Sequence, residues 1–255
     1  MNVLTIKGVS IGEGMPKIIV PLMGKTEKQI LNEAEAVKLL NPDIVEWRVD
    51  VFEKANDREA VTKLISKLRK SLEDKLFLFT FRTHREGGSM EMDESSYLAL
   101  LESAIQTKDI DLIDIELFSG DANVKALVSL AEENNVYVVM SNHDFEKTPS
   151  KDEILSRLRK MQELGAHIPK MAVMPNDTGD LLTLLDATYT MKTKYADRPI
   201  ITMSMAATGL ISRLSGEVFG SACTFGAGEE ASAPGQIPVS ELRSVLDILH
   251  KNTRG

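Results

Sequence analysis

Lys170 lies in the run Ile168-Pro169-Lys170-Met171-Ala172-Val173-Met174, in which every other side chain is apolar. Lysine is among the residues least often buried, because its ammonium loses hydration with no guaranteed partner. An amine forced into an apolar setting becomes a usable nucleophile near neutral pH. The alternative is a lysine that caps its strand and keeps its head in water.

Other residues carry complementary chemistry. Glu46 and Arg48 fall two apart in Val45-Glu46-Trp47-Arg48-Val49-Asp50. Arg82 precedes Thr83-His84-Arg85-Glu86-Gly87-Gly88. Asp114 and Glu116 share one short run, His143 follows Ser141-Asn142, and Arg213 comes near the end. Arginines clamp anions and a histidine moves protons near neutral pH. Each has a plainer reading. Glu46 with Arg48, or Asp114 with Arg82, would make structural ion pairs. His143 would be a satisfied core histidine, and Gly87-Gly88 a turn. His84, His167 and His250 have no comparable setting. Taken together, a lysine, a histidine, three arginines and carboxylates on one rim describe a site for a small anionic substrate.

The elements that must position these groups alternate along the chain. Apolar, β-rich runs at 18–22, 43–49, 76–81, 112–116, 136–141, 170–174, 199–203 and 218–224 read as strands. Amphipathic stretches at 26–40, 57–71, 93–106, 122–134, 150–164, 178–195, 208–214 and 239–250 read as helices, with Thr26 and Ser150 as N-caps. Eight β-then-α units in about 235 residues predict an α/β fold, a (β/α)8 TIM barrel of one domain over residues 1–255. An open doubly wound sheet is disfavoured, because no glycine-rich turn follows the first strand. Residues 1–14, with Lys7-Gly8 between two short apolar runs, read as a β-hairpin closing the barrel bottom. In a barrel the chemistry belongs at the C-terminal ends of the strands. Lys170 falls at the start of its run, so its stem must reach upward, with small Ala172 leaving it room. The span 220–236 is rich in small residues and glycine-bounded, and reads either as a lid over the mouth or as a plain connection.

Composition removes other classes. A formal net charge of −8 and a pI of about 5.2 argue against nucleic acid as a partner. The single cysteine, Cys223, permits no intramolecular disulfide and no cysteine-based zinc site. No apolar run is long enough to span a membrane, and the first residues lack a signal-peptide core. The expected compartment is the cytoplasm.

Seven motifs, in order along nearly the whole chain, carry a family resemblance. They are Glu46-Trp47-Arg48-Val49-Asp50, Thr80-Phe81-Arg82 with Glu86-Gly87-Gly88, Ser141-Asn142-His143-Asp144-Phe145, Lys170-Met171-Ala172-Val173-Met174-Pro175, Met203-Ser204-Met205, Ser212-Arg213, and Ser232-Ala233-Pro234-Gly235-Gln236. The chain resembles the type I 3-dehydroquinate dehydratases, Schiff-base lyases of the shikimate pathway. The resemblance implies that Lys170 attacks the ketone of 3-dehydroquinate, that His143 is general base and then acid, and that Glu86 orients His143. It implies that Arg213 binds the substrate carboxylate, with Gln236 and Ser232 closing over that end. Glu46, Arg48 and Arg82 would hold ring hydroxyls, and Met203, Met205 and Phe225 would wall the ring. It implies no metal or organic cofactor, and a homodimer. The competing enzyme reading is another imine-forming barrel such as a class I aldolase, though Glu229-Glu230 would repel a phosphate. The non-enzyme reading is a barrel that only binds a small carboxylate.

Overall fold

A computed structural model describes residues 3–228 and 236–253. The chain starts with an antiparallel hairpin, β1 (Leu4–Ile6) and β2 (Val9–Ile11). Then β3 (Lys17–Leu22), α1 (Glu27–Leu39), β4 (Ile44–Arg48), α2 (Arg58–Leu72), β5 (Leu76–Thr80), α3 (Glu94–Gln106), β6 (Leu112–Glu116) and α4 (Asp121–Glu133) alternate. The second half continues with β7 (Tyr137–Asp144), α5 (Lys151–Glu163), β8 (Ile168–Val173), α6 (Thr178–Thr190), β9 (Ile201–Ser204), α7 (Leu210–Leu214), α8 (Gly216–Phe219), β10 (Cys223–Ala227), β11 (Ile237–Pro238) and α9 (Val239–Thr253). The sheet order is β11-β10-β3-β4-β5-β6-β7-β8-β9, and every pairing in it is parallel. A bridge between Ile200 and Ser221 joins β9 to β10, so the predicted (β/α)8 barrel closes.

The period-two alternation of each strand divides the apolar residues into two cores. Val20, Trp47, Phe79, Ile113, Val138 and Met171 face outward into the layer between sheet and helices. Ile19, Ile44, Leu76, Leu112, Val139, Ile168, Ile201 and Cys223 face inward and form a second cluster. Ile6 and Ile11 of the hairpin belong to that inner cluster, and Lys7 Nζ lies 2.7 Å from Asp111 Oδ1 just before β6. The hairpin therefore closes the N-terminal end of the barrel, as the sequence predicts. Each of its two buried isoleucines contributes on the order of 1.5–3 kcal/mol of apolar burial.

Four predicted boundaries are corrected. Strand β7 runs to Asp144 rather than Ser141, because β8 pairs with it as far as Asp144↔Val173. His143 is thus on a strand, not in the loop after it. Strand β8 begins at Ile168, so Lys170 is its third residue, not its first. The eighth barrel strand begins at Cys223; Gly216–Phe219 is a helical turn ended by Gly220 at φ +118°. The α-conformation of the 178–195 helix stops at Thr190, and Met191–Tyr195 widens into a π-helical turn. The caps hold: Thr26 accepts from Gln29 N in a reciprocal capping box, and Ser150 accepts from Glu153 N.

Candidate active site

Going up the inner columns from the plug, apolar side chains give way to charge. Strand β4 reads Ile44, Glu46, Arg48; β6 reads Leu112, Asp114, Glu116; β7 reads Val139, Ser141, His143; β8 reads Ile168, Lys170, Ala172. A cavity of about 290 Å³ opens above this transition. Lys170, His143, Glu86, Glu46, Arg48, Arg82, Met203, Met205, Arg213, Phe225 and Gln236 all line it. Every site residue implied by the resemblance except Ser232 is therefore gathered around one space at the C-terminal ends of the strands. Ser232 lies outside the described residues, as do the other residues of 229–235 in the span read as a lid. The first part of that span is not a loop: Cys223–Ala227 is β10, and a Cβ on Gly226 would come within 2.9 Å of Val239. Its small residues serve close packing there.

Lys170 is 3% exposed, which rules out the snorkelling alternative. Nor is its surrounding wholly apolar. Nζ lies 3.4 Å from Asp114 Oδ2 and 4.9 Å from the centre of the Phe225 ring. Asp114 is itself clamped, accepting from Ser141 Oγ at 2.6 Å and facing Arg82 Nη2 at 2.9 Å. In register Lys170 stands beside Ser141, and His143 is one pleat higher on the neighbouring strand. One pleat is a rise of about 6–7 Å, within reach of a lysine stem.

His143 Nδ1 lies 2.9 Å from Glu86 Oε2, and the same oxygen accepts the His143 backbone N–H at 2.9 Å. With Nδ1 as donor, Nε2 keeps its lone pair. Burial holds the imidazole well below its usual pKa range, and the cations Arg82, Lys170 and Arg48 push the same way. His143 is therefore a neutral imidazole at pH 7. Burial, with Glu116 nearby, raises the Glu86 carboxyl to about 7.

Arg48 does not pair as its sequence spacing suggests. Arg48 forms a bidentate fork with Asp50 at 2.8 and 2.9 Å rather than an ion pair with Glu46. Asp50 also accepts the N–H groups of Arg82 and Ser89, tying strand β4 to the Gly87-Gly88 turn. Glu46 instead accepts from Thr80 Oγ1 at 2.9 Å. The expected Arg82–Asp114 pair is present, and Arg82 Nη1 also donates to Glu116 Oε1 and Ser141 Oγ, each at 2.9 Å. Removing one partner from a buried cluster of this kind costs about 3–5 kcal/mol. Gly88 is more than a turn residue: a Cβ there would come 1.8 Å from the Arg82 carbonyl oxygen. Arg213 is buried on α7 with Nη1 3.9 Å from Met203 Sδ, and burial lowers its guanidinium to about 10, so it remains a cation at neutral pH.

Asp50, Ser141 and Glu116 are working parts of this network that sequence reasoning left without a role, and Asp114, read there only as a partner of Arg82, also faces Lys170. The alternation on β6 and β7 was the available signal, since it puts Asp114, Glu116 and Ser141 on the same inner face as His143. His84, His167 and His250 stand apart, as expected. His167 Nδ1 accepts from Val138 N near the start of β7, and His250 pairs with Glu217 on the outside. Among the described residues, no group of three or more His, Cys, Asp or Glu side chains is placed to hold a metal ion.

A neutral imidazole locked by a carboxylate, an amine beside it and arginines around a small concave space suit nucleophilic attack on a carbonyl followed by proton transfer. Comparisons with known proteins agree. The family model for type I 3-dehydroquinase matches residues 18–253. Over its full length the chain is 98% identical to the 3-dehydroquinate dehydratase of Bacillus subtilis strain 168, covering 100% of both chains. It is 55% identical over 251 residues to that of Listeria innocua, covering 98% of this chain and 99% of the relative. The crystal structure of type I 3-dehydroquinate dehydratase from Clostridium difficile, solved with covalently modified comenic acid, superposes with a TM-score of 0.96 at 51% identity, covering 98% of each chain. By sequence, fold and the order of its motifs, the chain belongs to the type I 3-dehydroquinase family.

Proposed function

We propose that Lys170, His143 and Glu86 carry out the reaction of this enzyme, the dehydration of 3-dehydroquinate to 3-dehydroshikimate in the shikimate pathway. The observation that carries the assignment is that Lys170 and His143 line one cavity while Glu86 holds His143 Nδ1. Lys170 Nζ gives up a proton and adds as the free amine to the C3 ketone, and the carbinolamine takes one proton back as it loses water, leaving a protonated imine. That imine is an electron sink, so the C2–H becomes acidic. His143 Nε2 takes the C2 proton, giving an enamine and an imidazolium steadied by Glu86. The enamine expels the C1 oxygen, which receives the proton from His143 and departs as water. Hydrolysis of the protonated product imine restores the amine and returns that proton, so the net change is loss of one water.

Arg213 supplies the cation for the substrate carboxylate, with Gln236 lining the same cavity and Ser232 as a further donor to that carboxylate. Glu46, Arg48 and Arg82 face the ring hydroxyls, and Met203, Met205 and Phe225 form the apolar wall.

Adding purified protein to 3-dehydroquinate should produce the absorbance of a conjugated enone. An inert protein would refute the assignment. The pH dependence has a definite sign. Glu86 and His143 titrate as a pair. Its active form is carboxylate with neutral imidazole, and the Glu86 value of about 7 is the higher of the two. kcat/KM should therefore fall as pH drops through about 7 and should stay flat just above it. A rate that rises on acidification would contradict the base role.

The proposed compartment is the cytoplasm. Among the described residues no helix is long and apolar enough to cross a membrane. The proposed partner is a second copy of this chain. Leu182 and Tyr189 on α6, Ile211 on α7, Val218 on α8 and Ile248 on α9 are exposed apolar side chains. Sedimentation equilibrium should give twice the chain mass of 28.2 kDa. A monomer at micromolar concentration would refute the dimer.

A further inference from the structure

We infer that Arg157, on the outer helix α5, is a positioning residue for the His143–Glu86 pair and acts through the side-chain amide of Asn142. The inference rests on the reading above in which the Glu86 carboxylate steadies His143.

The connection is continuous. Arg157 Nη1 donates to Asn142 Oδ1 at 2.8 Å, and Asn142 Nδ2 donates to Glu86 Oε1 at 3.1 Å. The other Glu86 oxygen takes the two His143 N–H groups. A primary amide is nearly symmetric in shape, and sterics alone do not decide which end faces inward. A guanidinium has no acceptor, so the end facing Arg157 must be the oxygen. The end facing Glu86 is then the N–H, which favours the ionised carboxylate. Arg157 is well placed to hold this orientation. Nε is 2.7 Å from Glu153 Oε1, Nη1 is 4.0 Å from Asp144 Oδ2, and the guanidinium stacks 5.6 Å over Phe118. Its side chain is 19% exposed, whereas Asn142 is buried.

The charges around Glu86 make this neutral donor matter. Asp114 and Glu116 on β6 disfavour its ionisation, while Arg82, with Nη1 at 3.6 Å, favours it. His143 on β7 completes the set. Without Arg157 the amide is free to turn its oxygen toward Glu86, adding a repulsive dipole to the two carboxylate charges and favouring the acid. A protonated Glu86 would no longer steady the imidazolium, while attack by Lys170 would be untouched.

The test is the pH profile of kcat/KM with borohydride trapping in parallel. The proteins are wild type, Arg157→Met, Arg157→Lys, Asn142→Ala, the Arg157→Met/Asn142→Ala double variant and Glu86→Gln. Methionine keeps the stem over Phe118 and removes every donor; Arg157→Ala replaces it should Arg157→Met not fold. A hydrogen bond to a charged group corresponds to about one pKa unit or more. Arg157→Met should therefore move the acid limb up by about one unit and slow turnover at pH 7 roughly three- to tenfold. Adduct should still form at Lys170. Arg157→Lys should restore part of the limb, since one donor returns. In the Asn142→Ala background, Arg157→Met should have no further effect. An unmoved limb in Arg157→Met, or additive shifts in the double variant, would overturn the relay. If that happens while Glu86→Gln abolishes the limb, the relay alone is wrong. If Glu86→Gln leaves the limb in place, the reading of Glu86 is wrong and the relay falls with it.

Discussion

Replacement of Lys170 by alanine should eliminate turnover and leave the barrel folded. The loss should be on the order of 10⁴-fold or more, since losing the nucleophile removes the covalent route as a whole. The fold should survive because Asp114, the partner left behind, retains Ser141 and Arg82. Some stability is lost with the buried stem, about 2–5 kcal/mol by analogy with large-to-small core substitutions. Borohydride reduction at saturating 3-dehydroquinate separates the covalent mechanism from a barrel that only binds. In the wild type the added mass should appear on a peptide containing Lys170, and in Lys170→Ala nowhere. An unmodified Lys170 in the wild type, or near-normal turnover in the variant, would remove the imine from the mechanism.

Loss of His143 should have the next largest effect and a different signature. His143→Ala should slow the elimination by about 10²–10⁴-fold, the usual contribution of a positioned general base. Imine formation should continue, because Lys170 does not hydrogen-bond to the imidazole in the free enzyme; its ion-pair partner is Asp114. The covalent adduct should then accumulate and trap more readily than in the wild type. If trapping disappears instead, His143 acts before the imine and the order of proton transfers must be redrawn.

The barrel was legible because its signal is repetitive. Alternating apolar runs and amphipathic helices leave few alternatives once they recur eight times, and the hairpin announced itself through Lys7-Gly8. The limits of individual elements were not legible where pairing, not composition, decides them. Asn142, His143 and Asp144 look like loop residues, yet β8 offers them ladder partners. Val218-Phe219 looks like a strand start, yet Gly220 ends a helical turn there. The site residues were legible by type and by resemblance, but their partners were not. Glu46 and Arg48 share a face, and the plainer reading paired them. Asp50 wins the arginine because the helical turn after β4 brings its carboxylate to Nε and Nη2 together, along one edge of the guanidinium. Likewise the burial of Lys170 was readable from its neighbours, whereas its carboxylate partner came from β6, 56 residues away.

The seam between β9 and β10 has a consequence for how the enzyme moves. Strands β7 and β8 are laddered from Val139↔Ile168 through Asp144↔Val173. Strands β9 and β10 are joined at Ile200↔Ser221, with Ser221 Oγ bridging to the backbone of Thr202. Lys170 and His143 thus ride on the stiff flank of the barrel. Met203 and Phe225, the proposed walls for the substrate ring, stand on either side of the more sparsely bonded seam. With fewer ladder hydrogen bonds, the seam is the arc expected to open first, whereas the laddered strands are expected to hold amine and base at one separation. Compliance and chemical accuracy are assigned to different arcs of one cylinder.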